Sequence, residues 1–187
     1  MEVLTTDEAR RWCKRDFGSL RLTNEDRLYY RSRRRLGFMI RIPAEFRKMA
    51  FLSHDLLSFT GGHDFEGGLL WLQRWDIGAN RIIRVGWQTL ENIRRAHGSM
   101  QSLEVAPVQV FRSDEFNDFH AFLLYTMAYE WSGFMLPRNG GFFLDIRASS
   151  RLFCMTETPE VRKNLLEHLK TWDPKPEDHA SLIRQGC

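Results

Sequence analysis

Three groups of side chains in this sequence are of types, and at spacings, that could do chemistry. The first is the run Arg31-Ser32-Arg33-Arg34-Arg35, which follows Tyr29 and Tyr30. On a strand, Arg31, Arg33 and Arg35 share one face. Three guanidinium groups in a row could grip successive phosphates while a tyrosine stacks on a base, which is nucleic-acid chemistry. No RNP motif, helix-turn-helix or zinc finger accompanies the run. A solvated or ion-paired strand face accounts for the same residues.

The second group is the histidines. His97, His120 and His168 each fall on the apolar stripe of a helical segment. Three inward imidazoles that converged would make an open metal site. The spacing contains no HExxH, no HxH and no pair at i and i+4. Whether the three converge is therefore left open, and three separate hydrogen-bonded histidines are the simpler expectation. The dipeptides His54-Asp55 and His63-Asp64 resemble those that supply metal ligands in all-helical phosphohydrolases, but this chain is richer in strands. His54, His63 and His120 are the candidates if the protein is a metal-dependent hydrolase; no cofactor is expected otherwise. Cys13 lies among Arg10, Arg11, Lys14 and Arg15, neighbours that would lower a thiol pKa. Nothing ties a histidine or an asparagine to it. No GxSxG, GxGxxG or P-loop is present. Glu115 and Asp118 share a helix face near its N-terminus, where the dipole favours acids.

The third group is aromatic. Trp71 and Trp75 are four apart, so on one strand they share a face with Gln73. The 27 basic residues of the chain are 22 Arg and 5 Lys. Tryptophan and arginine dominate contact energetics, and an arginine-rich surface suits a carboxylate-bearing partner. Trp71, Trp75, Arg31, Arg33 and Arg35 are thus the candidate binding residues.

Elements must position these groups. The chain has 187 residues, enough to bury a core without disulfides or metals. It carries 14 Phe and 6 Trp, which argues against disorder. The three cysteines, Cys13, Cys154 and Cys187, are far apart and form no CxxC. No secretory leader and no membrane-length apolar run is read, so a cytoplasmic protein with no membrane contact is expected. Net charge is +3, and basic character is concentrated in the first fifty residues.

A capping box at Thr5 and Glu8 opens a helix ending near Gly18. Residues 28–42 read as extended, with Gly37 as a bend. Pro43 opens a second helix that Gly61-Gly62 ends. Residues 69–75 read as a strand, 82–97 as an amphipathic helix with Trp87, Leu90 and Ile93 inward, and 105–111 as a strand that Pro107 marks as an edge or a bulge. A helix from 113 or 114 to about 129 follows. Asn139-Gly140-Gly141 is the strongest hairpin signal, between strands at 133–136 and 142–146, with a further strand at 151–155. Thr158-Pro159-Glu160 opens a last helix. The expectation is one α+β domain over 1–173, a mixed, mostly antiparallel sheet packed with about five helices, and a polar tail over 174–187.

The segment Leu70-Trp71-Leu72-Gln73-Arg74-Trp75-Asp76-Ile77, the stretch Arg94-Arg95-Ala96-His97-Gly98, the set Ala106, Pro107, Phe111, Glu115 and Asp118, and Trp131 together resemble a group of bacterial proteins with no assigned activity. The resemblance covers residues 70–131 and implies a bacterial, cytoplasmic origin. Similar proteins tend to carry Gly-His where this chain has Val108-Gln109, so any role of that histidine is missing here. The leading expectation is a non-enzymatic protein-binding domain of accessory or immunity-like type. Nucleic-acid binding and metal-dependent hydrolysis are the alternatives, and oligomeric state is not readable.

Overall fold

Apolar residues recur every second position in the strand segments and every third or fourth in the helical ones, and the fold follows both periods. The computed structural model describes residues 1–16, 20–22, 28–30, 36–61, 64–74 and 81–176. The helices are α1 (Thr6–Asp16), α2 (Phe46–Ser58), α3 (Arg81–Ala96), α4 (Phe116–Ala128) and α5 (Pro159–His168). The strands are β1 (Glu2–Leu4), β2 (Leu20–Leu22), β3 (Leu28–Tyr30), β4 (Leu36–Arg41), β5 (Gly68–Arg74), β6 (Val108–Phe111), β7 (Ser132–Pro137), β8 (Phe142–Arg147), β9 (Arg151–Thr156) and β10 (Lys175–Pro176). Eight of them form one sheet in the order β1-β6-β5-β7-β8-β9-β4-β10, and β2 pairs with β3 alone. The fold is α+β. Every ladder among the described residues is antiparallel, so no parallel pair makes the sheet mixed.

Alternation sends one set of side chains to each face of the sheet. Leu70, Leu72, Met135, Leu144, Ile146, Leu152 and Cys154 join the main core with Leu52 and Leu56 of α2, Leu90 of α3, Phe119, Phe122 and Leu123 of α4, and Leu165 of α5. Leu69, Trp71, Val108, Val110, Phe134, Leu136 and Phe143 face the other way, onto Ala9, Trp12 and Cys13 of α1. Among the described residues, four helices therefore cover one face, and α1 packs on the other.

Local signals are realised with small displacements. Thr5 N–H donates to Glu8 Oε2 at 2.8 Å and Glu8 N–H to Thr5 Oγ1 at 3.4 Å, a reciprocal cap. Thr158 Oγ1 accepts from Val161 N–H at 3.2 Å, with Pro159 in the first turn of α5. The β7–β8 turn places Gly140 at φ 103° and Gly141 at φ 64°, as the Asn-Gly signal requires.

Three expectations are corrected. Gly37 makes no bend; it sits within β4 opposite Met155. Pro43 lies ahead of α2, whose N-cap is Glu45. Pro107 does not mark an edge, since β6 runs between β1 and β5. It stands just before the strand, needs to donate nothing, and accepts Leu72 N–H at 3.1 Å through its carbonyl. Within the polar segment over 174–187, Lys175 and Pro176 pair with Met39 and Phe38.

Candidate functional site

α3 crosses the molecule with one side on the core and one side open. Residues 87, 88, 91, 92 and 95 lie at i, i+1, i+4, i+5 and i+8, one face of a helix. Trp87, Gln88, Glu91, Asn92 and Arg95 form one wall of a cleft of about 530 Å³, and Met100 and Ser102 of the following loop form the other. Met100 is 95% exposed. The loop is tied to the helix by Leu103 N–H, which donates to Glu91 Oε1 at 2.6 Å. Ser99 N–H adds a bond to the Arg94 carbonyl at 3.0 Å, so the helix end and the loop hold each other.

Below the cleft, aromatic rings fix α3 against the end of α4. Trp87 meets Trp131 edge to face with centroids 6.1 Å apart, and Tyr129 stacks on Trp131 at 5.3 Å and on Tyr125 at 5.9 Å. Gly86 makes this approach possible, because a Cβ there would stand 2.0 Å from the Tyr129 ring. Arg94 is fully buried. None of its three guanidinium nitrogens has a hydrogen-bond partner among the described residues. Burial pushes its pKa below the ordinary arginine range, and the Glu91 carboxylate pushes the other way. Ser99 Oγ, both polar atoms of the Gln109 side chain and Trp131 Nε1 are buried and also lack partners.

At the far end of α3, His97 lies between two acids of the α4 N-terminus. Its Nε2 is 2.9 Å from Asp118 Oδ2 and its Nδ1 3.5 Å from Glu115 Oε1. Glu115 also accepts from Arg112 N–H at 2.8 Å and from the amino group of Met1, and it forms an ion pair with the Arg112 guanidinium at 3.0 Å. This cluster joins α3, α4 and β1.

Among the described residues His97, His120 and His168 do not converge, and each has its own partners. His120 Nε2 is 2.7 Å from Ser53 Oγ and 3.2 Å from the Ala50 carbonyl. Ser53 Oγ–H donates to that same carbonyl at 3.0 Å. A carbonyl only accepts, so Nε2 carries the proton and donates to both oxygens. The pair therefore has the polarity of a structural contact, since a general base would need a free lone pair facing the serine. Burial lowers the His120 pKa, a bond to Ala50 raises it and nearby His54 lowers it further. His54 approaches His120 edge to face at 6.2 Å. His168 Nε2 donates to the Asp55 carbonyl at 2.8 Å, and Trp172 Nε1 to Asp55 Oδ2 at 2.8 Å, which fastens the end of α5 to α2. Among the described residues no group of three or more His, Cys, Asp or Glu side chains could hold a metal ion.

The remaining candidates fall elsewhere. Trp71 is 2% exposed, in the core beneath α1, so it is no contact residue; the residue faces the buried side of a strand covered on both faces. Cys13 packs in the same core and is not a surface nucleophile. Burial raises the Cys154 thiol well above its usual range. Arg31, Arg33, Arg35, Trp75 and His63 lie outside the described residues. The sequence reading placed Trp87 inward and missed the cleft. The available signal was Arg95, two turns beyond Trp87 on the same helix face.

No described helix is long and apolar enough to cross a membrane. Comparison of the chain with protein-family models, with curated proteins and with solved structures finds no match.

Proposed function

We propose that this chain is a protein-binding domain, without a reaction centre, that seats a segment of its partner in the α3 cleft. The observation that carries the reading is the composition of that cleft. Trp87, Arg95 and a 95% exposed Met100 surround about 530 Å³ of open space. Tryptophan and arginine are the residue types that dominate interface energetics, and methionine adapts its shape to a partner. The rings of Tyr129 and Trp131 behind Trp87 support a rigid anchor, which lowers the entropy lost on binding.

The test is selection of displayed peptides on the immobilised protein, followed by measurement with single variants. Trp87→Ala is expected to weaken selected peptides by about tenfold to a hundredfold, the range of a hot-spot truncation. Because Trp87 also packs on Trp131 and the core, the variant's thermal midpoint is expected to fall, so affinities are compared at a temperature where both proteins are folded. Peptides that bind Trp87→Ala as well as the parent would remove the cleft from the reading. The contrasting surface is Phe46 and Phe51 on α2, 55% and 54% exposed, with the Arg47 guanidinium 5.7 Å from the Phe51 ring. Phe51→Ala serves as the comparison variant.

A further inference from the structure

Asn139-Gly140, the one Asn-Gly dipeptide of the chain, lies in the link between β7 and β8, and the fold uses both residues. Gly140 holds φ at 103°, and a Cβ there would stand 3.0 Å from the Phe142 ring, so the turn keeps a glycine at this position. The Asn139 side chain reaches across to the segment that follows α2. Its Nδ2 donates to the Thr60 carbonyl at 2.6 Å and to the Asp64 carbonyl at 3.2 Å. Carbonyls only accept, so the nitrogen of the amide faces them and not the oxygen. Oδ1 is buried and has no hydrogen-bond partner among the described residues. Beside it, Arg138 N–H donates to the Gly67 carbonyl at 3.0 Å. The turn is thus fastened to Thr60, Asp64 and Gly67, and two of these ties depend on one side-chain NH2 group.

Asparagine is a chemically labile side chain, most of all before glycine, whose nitrogen no side chain shields. We propose that Asn139 is a self-modification site that the docked turn guards, and that its conversion to a carboxylate undoes the docking irreversibly. In the reaction the Gly140 backbone nitrogen attacks Asn139 Cγ, and the new C–N bond closes a five-membered succinimide. The bond from Cγ to Nδ2 breaks, and Nδ2 leaves as ammonia with the proton given up by the Gly140 nitrogen. Water then opens the ring and leaves an aspartyl or isoaspartyl residue at 139. The amide nitrogen leaves only after its bonds to Thr60 and Asp64 break, so the reaction runs from the undocked turn. Afterwards a carboxylate, which only accepts, stands where the donor stood. It faces two carbonyl oxygens that have lost this donor, and both the missing bonds and the added charge oppose renewed docking.

The test holds the full chain in mildly alkaline buffer, folded and in urea, and follows conversion at each asparagine by peptide mapping and mass spectrometry. In urea, Asn139 is expected to convert ahead of Asn24, Asn80, Asn92, Asn117 and Asn164, none of which precedes a glycine. In the folded protein its conversion should be at least about tenfold slower, the factor that the hydrogen bonds on its amide supply. No lead over the other asparagines in urea overturns the site, and equal rates in the folded and unfolded chain overturn the guard. The consequence is read by hydrogen exchange at the Gly61 and Asp64 amides, which donate to the Ser58 and Gly61 carbonyls. Asn139→Asp is expected to speed that exchange about tenfold over the parent, and Asn139→Ala, which removes the donor without adding charge, by less. If Asn139→Asp does not fold, parent protein aged until position 139 has converted takes its place. Exchange in the converted chain no faster than in Asn139→Ala overturns the charge-driven undocking.

Discussion

At Glu115, burial and hydrogen bonding act on one carboxyl in opposite directions. Burial raises its pKa, while the Met1 amino group, the Arg112 backbone N–H and the Arg112 guanidinium lower it, and the net direction is down from 4.5. A carboxyl whose native pKa is depressed stabilises the fold fully above its unfolded value and loses that contribution as pH falls through the native one. Glu115→Gln is expected to cost about 1–3 kcal/mol at neutral pH, the range for disrupting a buried charged hydrogen-bond set. It should also flatten the acid side of the stability profile below 4.5. Urea unfolding at neutral and acidic pH checks both. His120 follows the same proton logic with the opposite charge. Its neutral form is favoured by burial, so an NMR titration should place its midpoint below 6.5, and its contribution to stability should fade as pH drops past that value. Residue chemistry of this kind was partly legible in the sequence. The inward direction of His120 and the acidic start of α4 were readable. The pairing of His97 with Glu115 and Asp118 was not, because it depends on how α3 lies across α4.

At the scale of elements, Gly86 sets how closely α3 and α4 approach. Alanine is the better helix former by about 1 kcal/mol, yet Gly86→Ala would push a methyl group into the Tyr129 ring. The expected net effect is a loss of about 1–3 kcal/mol, typical of overpacking. In a Tyr129→Ala background the same change should become neutral or stabilising, a coupling that a double-mutant cycle measures by denaturant unfolding. Elements were the most readable level of this chain. Helix periods, the Thr5–Glu8 and Thr158 caps and the Asn139-Gly140 turn are local, and each formed where its chemistry pointed. Gly37 and Pro107 misled for one reason. A glycine or proline constrains the backbone, but strand neighbours decide whether the constraint matters. Gly37 is held in β4 by its partner strand β9, and Pro107 stops one residue short of the β6 ladder.

For the molecule as a whole, the sheet has two unequal sides, and Trp71 belongs to the lesser one beneath α1. Trp71→Ala should lower stability by about 3–5 kcal/mol, as large core truncations do, while the affinity of the folded fraction for a selected peptide stays unchanged. Calorimetry with parallel binding measurements separates the two effects. The α+β class was legible because both periodicities are strong. The strand order was not, since it rests on pairings between distant segments. Those distances have their own consequence during synthesis. β1, at residues 2–4, waits for residues 108–111 as its neighbour, and β4, at residues 36–41, waits for 151–156. Phe38 and Ile40 therefore emerge from the ribosome long before the strand that shelters them has been made. Long-range antiparallel pairing of this kind is slow and leaves apolar segments bare in the meantime. The nascent chain should thus present β4 to chaperones for most of its translation, and slowing elongation downstream of residue 41 should lengthen that exposure.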